Sequence, residues 1–157
     1  MSEYQWLLAL HVTGAFLFLG GAVAAGVFNL AAQRASRPSE IALLLGLARY
    51  AVIGIAAGSL LTLVLGLWLV HDAGFSYGQA WIVVSLILFV VASGAGRAGG
   101  ARDHATRELA QRLAAESDTP SDELRARLRD PVAIGLSYGS GVLLVVILAL
   151  MIWKPGS

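Results

Sequence analysis

Four stretches of this chain are long enough and apolar enough to cross a lipid bilayer, and that limits the fold more than any other feature. The first, about 4–33, contains no Asp, Glu, Lys or Arg. The second, about 41–70, has Arg49 as its single charged residue. The third covers about 80–100, with Arg97 closing its apolar run, and the fourth covers 131–153. A crossing takes roughly 20 residues at 1.5 Å rise per residue. Backbone polar groups inside lipid must be paired within the segment, so these spans are expected to be helices. Composition agrees: 57% of the 157 residues are hydrophobic and 13% are charged, against about 25% charged in soluble domains. The expected fold is all-α, an antiparallel four-transmembrane-helix bundle forming one domain over 1–157. The opening "MSEYQW" lacks a basic residue and carries Glu3, which is the wrong start for a cleaved signal peptide, so the first span is expected to be retained.

Charge sets the orientation. Arg34 and Arg37 follow the first span, and seven arginines lie between the third and fourth, whereas "HDAGFSYG" between the second and third has no Lys or Arg. The positive-inside rule then puts both arginine-bearing connections in the cytoplasm and both termini outside, with Lys154 as the exception. Trp6, Trp68, Trp81 and Trp153 sit at the start, end, start and end of successive spans, which places all four at the outer interface. The connection over about 101–130 is predicted to be cytoplasmic and helical. "RDHATRELAQRLAAES" prolongs the third span as a charge-paired helix. "TPSDELRARLRDP" forms a second short helix capped at Thr119 with Pro120 first, and Asp130–Pro131 opens the fourth span. A net charge of +1 gives no reason to expect a nucleic-acid partner. The partners expected are lipid, a second copy of the chain, or a larger membrane complex in a bacterial inner membrane.

Small residues mark helix contacts in lipid. They predict a packing ridge on the second span at Gly54, Gly58, Thr62 and Gly66. Further contacts are expected at Ala92, Gly96 and Gly100 on the third span, at Gly135, Ser137, Gly139 and Gly141 on the fourth, and at the Gly20–Gly26 cluster on the first.

An ionisable side chain inside a membrane is a functional candidate by default. His11 stands in "LALHVTGAFLFLGG", on a face of mostly small residues, and is expected to point into the bundle. It is either a ligand or an interhelical hydrogen-bond donor. His71 ends the second span beside Asp72. If Arg34 and Arg49 both mark the inner boundary, the two histidines share a depth. If Arg49 lies inside the bundle, His71 moves about 13 Å outward. Two imidazoles on facing helices are a recurrent way to hold haem b or a metal ion, so His11 and His71 are candidate cofactor or metal ligands. Arg49 and Tyr138, with Tyr50, are candidate anchors for a propionate or a quinone head, or simply interface anchors. His104 is expected to be exposed. No Asp or Glu falls inside a span, which weakens proton-coupled transport. With no Cys and no hydrolase or phosphate-loop motif, thiolate chemistry and the familiar hydrolytic sets are not expected.

"LHVTGAFLFLGG", "LTLVLGLWLV" and the ending "LALMIWKPGS" together resemble a domain-of-unknown-function family of small bacterial four-span membrane proteins. More distantly, the "LHV" opening is similar to the first helix of copper-resistance protein D and of HemJ-type protoporphyrinogen oxidases. That resemblance implies a haem- or metal-binding histidine at His11. It offers no counterpart of the basic residue that HemJ-type proteins use deeper in the bundle. The expectation is haem b or a related cofactor near the outer side, for electron transfer or cofactor handling. The alternatives are a cofactor-free accessory subunit and passage of a small solute or metal ion.

Overall fold

The computed structural model describes residues 3–155. These form α1 (Glu3–Arg34), α2 (Pro38–Asp72), α3 (Ala80–Glu116), α4 (Asp122–Leu128) and α5 (Pro131–Trp153). α1, α2, α3 and the α4–α5 stretch are each long and apolar enough to span a membrane. The all-helical, four-span expectation therefore holds. The third helix runs without a break from the apolar span into the charged segment ending at Glu116, as expected.

The bundle is inverted relative to a water-soluble one. Large apolar side chains such as Phe16 (78% exposed) and Val23 (67% exposed) point outward, and within their apolar spans the long helices have no polar stripe to offer water. Such a surface is stable only when hydrocarbon covers it. α1 packs along α2, α5 packs along α3, and α2 joins the two pairs, whereas α1 and α5 meet sparsely.

The close α1–α2 approach rests on glycines. Gly14 lies against Thr62, Gly21 against Ile55, and Gly58 against the backbone of Gly14 and Phe18. Where glycine removes the side chain, two helix backbones can touch. The expected ridge is thus corrected at one end, because Gly54 faces open space. Gly20, Gly26, Gly96, Gly100, Gly135, Gly139 and Gly141 are also open, and on the α3–α5 side it is Gly99 that receives the Ser137 side chain.

These pairings fix depth. Trp68 lies in the last turns of α2, and about 20 residues of helix cross the roughly 30 Å hydrocarbon layer. Counting inward from Trp68 reaches Arg49, and counting from Trp6 along α1 reaches Gly26. The α1–α2 register sets these two levels side by side. Arg49 therefore lies at the edge of the hydrocarbon layer, and Arg34 lies beyond it. We call the two ends of the bundle the tryptophan end and the arginine end. Trp6, Trp68 and Trp153 are exposed at the former, as an aromatic belt should be. Trp81 shares the level but is turned inward, 7% exposed, against Val70, Ile82 and Phe75.

Beyond the arginine-end boundary the protein packs like a soluble one. Ala32, Ile41, Leu45, Ala110 and Leu124 form its best-buried cluster, uniting the ends of α1, α2 and α3 with α4. Asn29 donates to Asp103 Oδ2 at 3.1 Å, joining α1 to α3. The α4 cap differs from expectation: Ser121, not Thr119, accepts from Leu124 N at 3.2 Å. The Thr119 hydroxyl instead bonds to Ser117, so the helix starts two residues later. Asp130 does cap α5, accepting from Val132 N at 2.9 Å ahead of Pro131.

α2 is capped from a distance. Arg37 occupies its N-cap position without a side-chain bond. Asp118, from the α3–α4 turn, takes over that role by accepting from Ser39 N and Ser39 Oγ, both at 2.8 Å. Asp118 adopts a left-handed φ of 50° to reach it. The bond from the Ser39 backbone N–H, then that from its hydroxyl, holds the Asp118 carboxyl below its ordinary value of 3.8, with help from Arg37. A carboxyl depressed in the folded state stabilises the fold above its unfolded pKa, and that contribution is lost as pH falls through the folded value. Asp118→Ala should therefore melt below wild type at pH 7, and the gap should close below about pH 4. Thermal unfolding in detergent across this window checks it. A constant gap would show that the charge of Asp118 is not what holds α2.

Candidate functional site

At the tryptophan end the four long helices enclose a cavity of about 220 Å³, lined by His11, Thr62, Gly66, Trp81, Ser85 and Met151 among others. His11 reaches it from α1, and Gly66 on α2 gives it room. A Cβ at Gly66 would sit 3.0 Å from His11 Cε1 and 3.3 Å from Nδ1. His11 Nδ1 lies 3.0 Å from the Thr62 carbonyl oxygen. A carbonyl only accepts, so Nδ1 carries the proton, and in the neutral ring Nε2 keeps its lone pair.

Two hydroxyls of cavity-lining residues lack partners. Thr62 Oγ1 and Ser85 Oγ are buried with no hydrogen bond, and both residues line the cavity. An unmade bond on a buried hydroxyl costs about 1–3 kcal/mol, so a polar ligand atom in the cavity would offset a standing penalty.

The mouth is aromatic and cationic. Phe75 and Trp81 meet edge to face at 5.7 Å, and Trp81 Nε1 donates to Gln79 Oε1 at 2.9 Å. The Lys154 ammonium lies 4.8 Å from the Phe75 ring centre and 5.9 Å from that of Trp81. These rings account for a lysine at the end where the arginine distribution predicted none.

The other expected site residues lie elsewhere. By the α1–α2 register, His71 is level with residue 5, about 9 Å outward of His11. It is exposed and takes no part in the cavity lining. Neither depth alternative holds as stated: Arg49 is exposed rather than inside the bundle, yet it sits deeper than Arg34, and the two histidines do not share a level. Arg49 lines a separate groove of about 510 Å³ at the arginine end, with Tyr50 and Arg107. It lies some 24 Å along α2 from the level of His11. Tyr138 is 51% exposed on α5 and lines neither space. His104 is exposed, 3.7 Å from Glu108. Asn29, by contrast, bridges two helices. Ser59 bonds within its own helix instead, to the Ala56 carbonyl.

Sequence reasoning missed Trp81, Ser85, Phe75 and Lys154 as cavity residues. Only Lys154 carried a signal, its departure from the charge rule.

Four apolar helices, an outward apolar surface and a largely apolar cavity holding one histidine within the spans define a multi-pass integral membrane protein. Residues 5–155 match the family model described as "Predicted integral membrane protein (DUF2269)", and the chain belongs to that family. Among curated proteins and among solved structures nothing matches. The more distant likeness to copper-resistance protein D and HemJ-type proteins is not shown by these comparisons.

Proposed function

We propose that this protein binds haem b through His11 and serves electron transfer or cofactor handling at the outer side of a bacterial inner membrane. The observation that carries it is the Nδ1–H bond from His11 to the Thr62 carbonyl. A ligating histidine typically gives its other ring N–H to such an acceptor, which fixes the tautomer and aims the free nitrogen. The donor set suits haem better than a bare ion. No group of three or more His, Cys, Asp or Glu side chains is assembled among the described residues, whereas a haem brings four nitrogens and needs an axial imidazole. The enclosed 220 Å³ is below the roughly 300–1,000 Å³ of small-molecule sites. A macrocycle therefore needs the sparsely packed α1–α5 side as well. When bound, haem would supply one-electron chemistry. The arginine end faces the cytoplasm and both termini face outward, as the charge distribution indicates.

The test is an absorption spectrum, oxidised and dithionite-reduced, of protein made with haem precursor and purified in detergent. Wild type should show a Soret band, His11→Ala should lose it, and His71→Ala should keep it, because His71 lies about 9 Å farther out. A wild type without the band overturns the haem assignment.

A cofactor-free accessory subunit is the alternative. Gly96, Gly100, Gly135 and Gly139 leave outward faces on α3 and α5 where another helix can approach closely. A colourless protein that purifies as an oligomer or with a partner would favour it.

A further inference from the structure

We infer that the groove between α2 and α3 at the arginine end is a binding site for an anionic phospholipid, with Arg49 and Arg107 holding its phosphate. The site is independent of His11 and of whatever His11 binds.

The groove measures about 510 Å³, and no acidic residue lines it. Among the described residues the ion pairs that arginines make lie elsewhere: Arg102 with Asp130, and Arg127 with Glu123. Neither Arg49 nor Arg107 has an ion pair or hydrogen bond among the described residues. Arg107 Nε is buried with its N–H unmet, a costly state for a charged donor. Two unneutralised guanidiniums on one groove, one of them partly desolvated, leave it positive. Planar guanidinium forks match phosphate oxygens in paired hydrogen bonds.

Depth and lining identify the kind of phosphate. Arg49 stands at the edge of the hydrocarbon layer, where headgroups lie, and Arg107 stands on its aqueous side. On the hydrocarbon side of Arg49 the wall is apolar: Ile53, one turn further in, lines the groove and is 59% exposed, whereas Leu43 and Leu47 line it on the aqueous side of Arg49. A soluble phosphate would leave that wall uncovered, whereas a phospholipid brings acyl chains to it. A zwitterionic lipid also brings a cation toward two arginines. A lipid of net negative charge does not, and basic pockets at this level suit such headgroups.

The experiment uses the full chain in detergent micelles and counts bound lipid by native mass spectrometry, titrating phosphatidylglycerol, cardiolipin and phosphatidylcholine. About 1 kcal/mol per basic residue corresponds to about fivefold in affinity. Wild type should prefer either anionic lipid over phosphatidylcholine by more than tenfold. Arg49→Gln and Arg107→Gln should each lose about fivefold, and Arg125→Gln, an exposed arginine on α4 outside the groove, should lose nothing. Ile53→Gln, on the hydrocarbon side of Arg49, should weaken lipid binding while leaving the headgroup contacts in place. Thermal unfolding of each variant establishes that it is folded. Equal binding of all three lipids, or equal losses in Arg107→Gln and Arg125→Gln, overturns the proposal. So does displacement of the lipid by millimolar inorganic phosphate with Ile53→Gln silent, which would make the ligand a soluble anion.

Discussion

Gly58→Leu is expected to push α1 off α2 and to destabilise the bundle more than the same change at any outward-facing glycine. A Cβ at position 58 would lie 2.5 Å from Phe18 N and 2.7 Å from the Gly14 carbonyl oxygen. Both are backbone atoms, so no rotamer change can relieve the clash and the helices themselves must separate. Overpacking a tight core costs about 1–3 kcal/mol and occasionally more. With backbone on the far side, the upper end applies. For a chain of this size about 3 kcal/mol lowers Tm by roughly 6–12 °C. Gly54→Leu is the control, one turn away on the same helix with nothing within 4 Å. It should leave Tm nearly unchanged, because leucine is the better helix former. Circular-dichroism melts of both variants in one detergent decide the matter. Equal losses would mean that Gly54 also packs, against another copy of the chain.

The sequence grouped Gly54 with Gly58 because a spacing of four resembles a single face. Each four-residue step rotates about 40° around a 3.6-residue helix. Between Gly54 and Gly66 the drift accumulates to about 120°, and packing on α1 retains only the Gly58–Thr62–Gly66 part. The four spans themselves were legible, since hydrocarbon thickness fixes their length and nothing else in the chain competes for that signal. Gly14 escaped notice because no other glycine lies three or four residues from it on α1; only its partner, Thr62, makes it an interface residue.

The site divides in the same way. His11 was legible because an imidazole in an apolar run is rare whatever the tertiary structure. Whether His71 could join it depended on which arginine marks the membrane edge. That answer lay in the α1–α2 register, which short contacts at Gly14, Gly21 and Gly58 determine and hydropathy does not. Ser85 and Trp81 look like ordinary span residues until α3 is set beside α2. Arg49 was recognised as a candidate anchor, but its companion is Arg107. Charge spacing alone gave no reason to single Arg107 out among seven arginines in one connection.

Leu124→Ala is expected to free α4 while leaving the four spans folded. Leu124 is fully buried and joins α4 to Ala32, Ile41, Leu45 and Ala110. A seven-residue helix cannot persist in water on its own, so α4 exists because that one side chain is docked. Its Ser121 cap and the Arg127–Glu123 pair at 2.7 Å are local bonds that do not tie it to the bundle. Truncating a buried leucine to alanine costs about 2–5 kcal/mol. Where opening is fast relative to cleavage, even 2–3 kcal/mol raises the open population by roughly 30- to 150-fold. Trypsin should then cut at Arg125, Arg127 and Arg129 that much faster, while the main thermal transition shifts far less. Leu128→Ala, at the partly buried edge of the same cluster, should accelerate cleavage by a smaller factor. Cleavage unchanged in Leu124→Ala would mean that the Asp130 cap and the Pro131 start of α5 hold the segment from the other side. A global loss of stability would mean instead that the arginine-end cluster and the membrane spans fold as one cooperative unit.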